Sequence, residues 1–171
     1  MEFIKIVLFC ILASISYGVV HDQFTARICV EYFTVAHPPV FHTESPTLLG
    51  LGWGVIATWW VGLFLGVPLA MAARIGERRK LGVRQLVHPV AILLAVMACA
   101  ALLSGSIGYT LAARATDGLS PFFSEGIPPE HRLGFVADFC AHLASYAVGF
   151  FGGLVVIART WWKRHFCFAR E

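Results

Sequence analysis

The stretch LLGLGWGVIATWWVGLFLGVPLAMAA, residues 48–73, decides the fold, because it runs for 26 residues without a formal charge. A helix of that length is about 39 Å long, whereas the hydrocarbon core of a bilayer is only about 30 Å thick. The stretch therefore predicts a membrane-spanning helix that tilts or bends, and Pro68 is the expected position of a kink.

Small residues recur at every fourth position of this run, so one face of the predicted helix carries almost no side-chain bulk. Such a face lets a second helix approach closely. The alternative is a groove for a flat cofactor or a lipid tail. Packing is the prediction for Gly54, Gly62 and Gly66, and for Gly149 in the last apolar run. The complete set in the first run is Gly50, Gly54, Thr58, Gly62, Gly66 and Ala70.

Three further apolar runs, at about residues 3–20, 87–113 and 133–158, accompany the first. Apolar residues make up 58% of the 171 residues, charged residues 13%, and the mean hydropathy is +0.74. This composition exceeds what a soluble domain of that size needs. The sequence predicts an all-α integral membrane four-helix bundle, formed by one domain over residues 1–171. Residues 3–20 are either a cleaved signal peptide or, as their length favours, a retained first helix.

Ten of the thirteen Lys and Arg residues lie near the two ends of the chain or in the stretch 74–86. The positive-inside rule makes 74–86 a cytoplasmic loop and both termini cytoplasmic. Segments 21–47 and 114–132 are then outer loops. The basic edge, with Arg78, Arg79 and Lys80, is expected to contact anionic lipid headgroups. A net charge of +3 with no continuous basic face argues against a nucleic-acid partner.

The first outer loop, HDQFTARICVEYFTVAHPPVFH at residues 21–42, concentrates the polar chemistry of the chain. Its middle, Thr25 to Val35, is rich in β-branched and aromatic residues and predicts either a small β element or an extension of the first helix. Arg27 and Glu31 are four residues apart, so they share one side in either geometry and are expected to form an ion pair.

In the last apolar run, Asp138 and His142 are also four residues apart and stack on one helix face. Ionisable groups at that depth are costly unless they face the bundle interior or a wet cavity. They are either a functional site or a polar clamp between helices, in which Asp138 sets the tautomer of His142.

Together these segments predict an outward-facing polar mouth of histidines and carboxylates, a donor set that suits a transition metal. The metal ligands expected are His21, His37 and His42, with Asp22, Glu31, Asp138 and His142 as ligands or proton relays. A haem held by two histidines is the weaker alternative. Cys29 and Cys140 are predicted on the same side, either as a disulfide or as free thiols.

The segment YGVVHDQFTARICVEYFTVAHPPVFHTESPTLLGLGWGVIATWW resembles an uncharacterised family of small bacterial multi-pass inner-membrane proteins. In that family similar HD, EYFT and HPP segments precede a GWG-containing apolar stretch. The resemblance implies a bacterial inner-membrane location and implies no activity or cofactor. Two functions remain open: a membrane enzyme or transport-related protein with a metal or ligand site, and a non-catalytic accessory subunit that binds a membrane-protein partner or a second copy.

Overall fold

The computed structural model describes residues 1–115 and 118–167. Within these two ranges six α-helices follow one another: α1 (Glu2–Ile28), α2 (Glu31–Thr34), α3 (Pro46–Ile56), α4 (Trp59–Arg74), α5 (Val83–Ala113) and α6 (Arg132–Trp162). Short 3₁₀ turns at Pro121–Phe123 and Pro129–His131 precede α6, and a π-helical turn, Lys163–Cys167, follows it.

Four helical segments are long and apolar enough to cross a membrane. They are α1, the α3–α4 pair, α5 and the segment Pro129–Phe166 built around α6. The prediction of an all-helical fold with four potential membrane-spanning segments is therefore confirmed. No strand occurs in the described part of the chain, so of the two alternatives for Thr25 to Val35 the small β element is wrong, and the extension of the first helix is correct as far as Ile28.

α1 takes up the first part of that segment instead, because residues 21–28 contain no glycine or proline that would end a helix. Its last turns carry His21 and Asp22, which were assigned to an outer loop that begins at residue 21. The described loop between the first two spanning segments begins only at Cys29 and contains the single-turn helix α2.

The second spanning segment is interrupted at Ala57 and Thr58, whereas α4 continues through Pro68. The Thr58 hydroxyl donates a hydrogen bond to the carbonyl of Gly54, the acceptor that the Thr58 N–H would use in a regular helix. That N–H bonds to Val55 instead, at 3.3 Å. This local rearrangement separates α3 from α4.

The small-residue face of α3 and α4 lies against α1. A Cβ added at Gly54 would be 2.5 Å from the Cα of Val19, and one added at Gly62 would be 2.7 Å from the carbonyl of Cys10. Gly66 lies over Cys10 in the same way. α5 packs along α6, and contacts between α4 and α6 join the two pairs.

Arg164 holds the basic end of the bundle together. Its guanidinium is 1% exposed and donates to four backbone carbonyls, those of Ala72, Ile75, Arg78 and Arg79, at 2.7–3.1 Å. The carbonyl of Ala72 belongs to the last turn of α4, and the other three carbonyls lie just after the end of that helix. A side chain counted in the sequence only as part of a basic tail thus caps the second spanning segment.

Candidate metal and ligand site

The polar site is formed where α1 and α6 approach each other at the end of the bundle opposite Arg164. His21 and Asp22 from α1 meet His142 from α6, and one ligand atom from each lies within 4.8 Å of the other two. The closest pair is Asp22 Oδ1 and His142 Nε2, 3.3 Å apart. The three residues could therefore hold a metal ion.

The group is buried, whereas the sequence predicted a polar mouth open to the outer face. Asp22 is 5% exposed and His142 is 8% exposed. The rings of His21 and His142 meet edge to face with their centroids 4.5 Å apart, and the Tyr32 ring stacks on His142 at 4.3 Å. Aromatic packing thus holds both imidazoles in place.

The proton on His142 is assigned by its neighbours. Its Nδ1 lies 2.8 Å from the backbone carbonyl of Asp138, which can only accept, so Nδ1 carries the hydrogen. In a neutral imidazole Nε2 then presents a lone pair toward Asp22 Oδ1, also an acceptor when ionised. Two acceptors that face each other at this distance require a cation between them, either a proton or a metal ion.

The predicted contact between Asp138 and His142 is therefore present, but the backbone carbonyl of Asp138 makes it and not the carboxylate. The carbonyl of residue 138 orients the imidazole, whichever side chain stands there. The Asp138 carboxylate is 1% exposed, and neither of its oxygens has a hydrogen-bond partner among the described residues. His21 Nε2 is buried and unpartnered in the same sense. Unsatisfied buried polar atoms are rare, and His21 Nε2 belongs to a residue of the three-residue group.

His37 borders the site without belonging to the three-residue group. Its Nδ1 donates to the carbonyl of Tyr32 at 2.7 Å, and its ring lies 4.6 Å from that of Trp53. Burial lowers the pKa of His37, although the hydrogen bond to Tyr32 acts in the opposite direction, so the imidazole is neutral at pH 7. His42 is exposed and does not line the cavity described below. The structure therefore does not bring His21, His37 and His42 together as one ligand set.

Glu31 is engaged elsewhere. His131 Nδ1 donates to Glu31 Oε1 at 2.6 Å, and the Cys29 thiol donates to Glu31 Oε2 at 3.3 Å. Arg27 instead donates to Gln23 and Thr47, so the predicted Arg27–Glu31 ion pair is wrong. Arg27 lies in the last turn of α1, which ends at Ile28, whereas Glu31 begins α2. The two residues therefore do not share one regular helix or strand, which the expected pair required.

The structure also distinguishes the two alternatives for Cys29 and Cys140, a disulfide or two free thiols. Cys29 and Cys140 are both free thiols. Burial raises the pKa of the Cys29 thiol to about 12, and its hydrogen bond to the Glu31 carboxylate adds to the effect. Cys29 is thus a hydrogen-bond donor at the end of α1.

The contact between Glu31 and His131 predicts an acid-sensitive tether between the first outer loop and the start of α6. Burial acts to raise the pKa of Glu31, but the hydrogen bonds from His131 and Cys29 outweigh it, and the pKa lies below its usual value of 4.5. A depressed carboxyl pKa stabilises the fold above the unfolded-state value, and this contribution is lost as the pH falls through the folded-state value.

We therefore expect Glu31→Gln to lower the melting temperature at pH 7, and the difference from the wild type to shrink as the pH falls below 4.5, the usual pKa of the carboxyl group. Thermal unfolding in detergent, followed over that pH range, measures it. Glu44→Gln is the matched control, since Glu44 is exposed. Equal melting of Glu31→Gln and wild type at pH 7 contradicts the tether.

Below the three-residue group the bundle encloses a cavity of about 380 Å³. One wall is closed by a hydrogen bond of 2.8 Å between the Tyr17 hydroxyl of α1 and the Ser145 hydroxyl of α6. Gly149 lines the same cavity and is the one predicted packing glycine that does not face α1; its neighbour is the end of Met97 from α5.

Comparisons with family models, with curated proteins and with solved structures give no match. The chemistry of the site must be argued from its own residues.

Sequence reasoning missed two partners of this region. His131 was not considered, although it follows a pair of prolines and stands just before the last apolar run. Tyr17 was assigned to an apolar segment, and its pairing with Ser145 is set by helix packing. Residues 21–28 contain no glycine or proline, which allows the first helix to continue to residue 28. That continuation would have placed Tyr17, His21 and Asp22 on neighbouring turns.

Proposed function

We propose that this chain is a multi-pass protein of the bacterial inner membrane that binds a first-row transition metal at His21, Asp22 and His142. The observation that carries the proposal is the separation of 3.3 Å between Asp22 Oδ1 and His142 Nε2. Two ligands on a tetrahedral ion with bonds of about 2.0–2.1 Å are roughly 3.3 Å apart.

The third ligand fits the same account. His21 offers a buried nitrogen without a partner among the described residues, and its ligand atom lies within 4.8 Å of the other two. A shift of at most about 1.5 Å brings it to the separation that two ligands of a shared ion require, a movement within the reach of one side-chain rotation. Two imidazoles and one carboxylate suit zinc, iron or manganese and leave coordination positions open for a ligand.

Charge distribution supports an outer position for this site. Cationic residues gather at the opposite end of the bundle, where α4 ends and α5 begins, so the positive-inside rule assigns that end to the cytoplasm. Both termini are then cytoplasmic, and the metal group lies in the outer half of the membrane. The exposed Arg78, Arg79 and Lys80 would contact anionic lipid headgroups. The resemblance of residues 17–60 to bacterial inner-membrane proteins agrees with this location.

Metal analysis of the full chain purified in detergent tests the proposal. After incubation with zinc and removal of excess ion, we expect about one zinc per chain in the wild type and in His42→Gln, and under about a tenth of that in His142→Gln. His142→Gln keeps a polar side chain of similar length, so its melting temperature shows whether the fold survives. A folded His142→Gln protein that retains one zinc rejects this site, and a metal-free wild type favours the accessory-subunit alternative.

A further inference from the structure

The cavity below the metal group has the size and position of a ligand pocket. Its volume of about 380 Å³ lies within the range of small-molecule sites. α1, α4 and α6 provide most of its walls, and Met97 of α5 completes them. His21, Asp22 and His142 all border it, so a molecule in the cavity would contact the metal group directly.

The polar end of the cavity calls for a hydrogen-bonding headgroup. His21 Nε2 is buried and lacks a partner among the described residues, and its ring borders the cavity. His37 borders the same end, and its Nδ1 is already occupied by Tyr32. In the metal-free protein, a ligand oxygen placed here would give His21 Nε2 the hydrogen-bond partner that it lacks among the described residues.

The charge of the lining excludes an anionic headgroup. Within the described chain no lysine or arginine lines the cavity, whereas the carboxylate of Asp22 does. In the metal-free protein, a carboxylate or phosphate buried beside Asp22 would meet a like charge and no lysine or arginine among the described residues. The headgroup is therefore neutral.

The shape of the lining favours a flat ring. Phe33 and His37 stack with their rings 12° from parallel, and Trp53 lies against His37. All three border the cavity beside the polar end. Stacked and edge-to-face contacts with such side chains favour a planar conjugated group over a branched or globular one.

The entrance faces lipid. Three of the lining side chains, Trp60, Phe64 and Phe150, are 51%, 61% and 43% exposed. They belong to spanning segments, so their exposed faces contact the bilayer interior. A ligand reaches the cavity from the membrane between α4 and α6.

We propose that the cavity binds a membrane-soluble molecule with a neutral, flat, carbonyl-bearing ring and an apolar chain, the chemical class of the quinones. The ring lies beside His21 and His37, and the chain extends toward Trp60 and Phe64. That this molecule is the substrate presented to the metal rests on the proposed function, whereas its binding in the cavity does not.

The test uses the full chain in lipid nanodiscs, both metal-free and zinc-loaded, with a decyl-substituted 1,4-benzoquinone as the probe. Decanoic acid, which has a similar chain and an anionic head, is the comparison ligand. Equilibrium binding is measured against empty nanodiscs, which report partition into lipid alone. Val61→Phe fills the cavity from α4, and Val155→Phe is the matched control because Val155 is 64% exposed and does not line the cavity.

We expect saturable binding of about one quinone per chain, weakened about tenfold or more by Val61→Phe and unchanged by Val155→Phe. In the metal-free protein, decanoic acid is expected to bind at least about tenfold more weakly than the quinone. No saturable quinone binding, equal binding of the two probes by the metal-free protein, or equal binding of the quinone by Val61→Phe overturns the inference. Quinone binding to metal-free protein that takes up no zinc rejects the metal site and leaves the ligand cavity standing.

Discussion

Arg164→Ala is expected to lower the free energy of unfolding by about 4 kcal/mol, because several buried carbonyls lose a charged donor at once. The guanidinium is 1% exposed and donates to Ala72, Ile75, Arg78 and Arg79. These acceptors end the second spanning segment and begin the turn toward α5. Loss of the donor leaves that helix end without a cap.

Arg164→Lys should recover only part of this stability, since an ammonium cannot reproduce the planar fork that reaches four carbonyls. Thermal unfolding in detergent, together with the fraction of monodisperse protein, measures both variants. Arg159→Ala is the matched control because Arg159 is exposed and lies in the last turn of α6, close in the chain to Arg164. The cap assignment fails if Arg164→Ala and Arg159→Ala melt together.

Gly54→Ala is expected to destabilise the fold by about 3 kcal/mol, the upper part of the range for overpacking a close contact. The added Cβ would be 2.5 Å from the Cα of Val19 and 2.9 Å from the carbonyl carbon of Gly18. Both are backbone atoms, so α1 and α3 must separate. Asp22 lies one turn beyond Val19 on α1, and its distance from His142 is therefore expected to change as well.

Gly149→Ala provides the comparison. Its added Cβ meets only the end of Met97, at 3.0 Å from Cε, and this flexible side chain can move away. We expect Gly149→Ala to melt within a few degrees of the wild type, and zinc binding to fall in Gly54→Ala alone. Equal melting of the two variants contradicts the assignment of the small-residue face to contact with α1.

The membrane fold follows from the sequence because apolar length is a direct physical requirement of a spanning helix. The run 48–73 also shows its small-residue face, but it does not show which helix covers that face. The break at Thr58 was missed because a hydroxyl that competes for a carbonyl has a weaker sequence signal than Pro68. In the structure Pro68 is accommodated inside α4.

Most residues of the site could be identified from the sequence, but their arrangement in space could not. His21, Asp22, Asp138 and His142 were all identified from their residue types and depth. The end of α1 had to be placed eight residues further on before His21 and Asp22 faced His142. The contact of Glu31 with His131 joins residues 100 positions apart, and only the docking of α2 on α6 produces it. No local sequence pattern predicts a contact between residues so far apart in the chain.

The central claim, a metal ion held by His21, Asp22 and His142, is tested most directly by X-ray absorption spectroscopy of the zinc-loaded full chain. We predict nitrogen and oxygen ligands at about 2.0–2.1 Å. Outer-shell scattering should correspond to two imidazoles in the wild type and equally in His42→Gln, the variant expected to keep its zinc. A sulfur shell near about 2.3 Å, or outer-shell scattering without two imidazoles, would show that the metal is bound elsewhere.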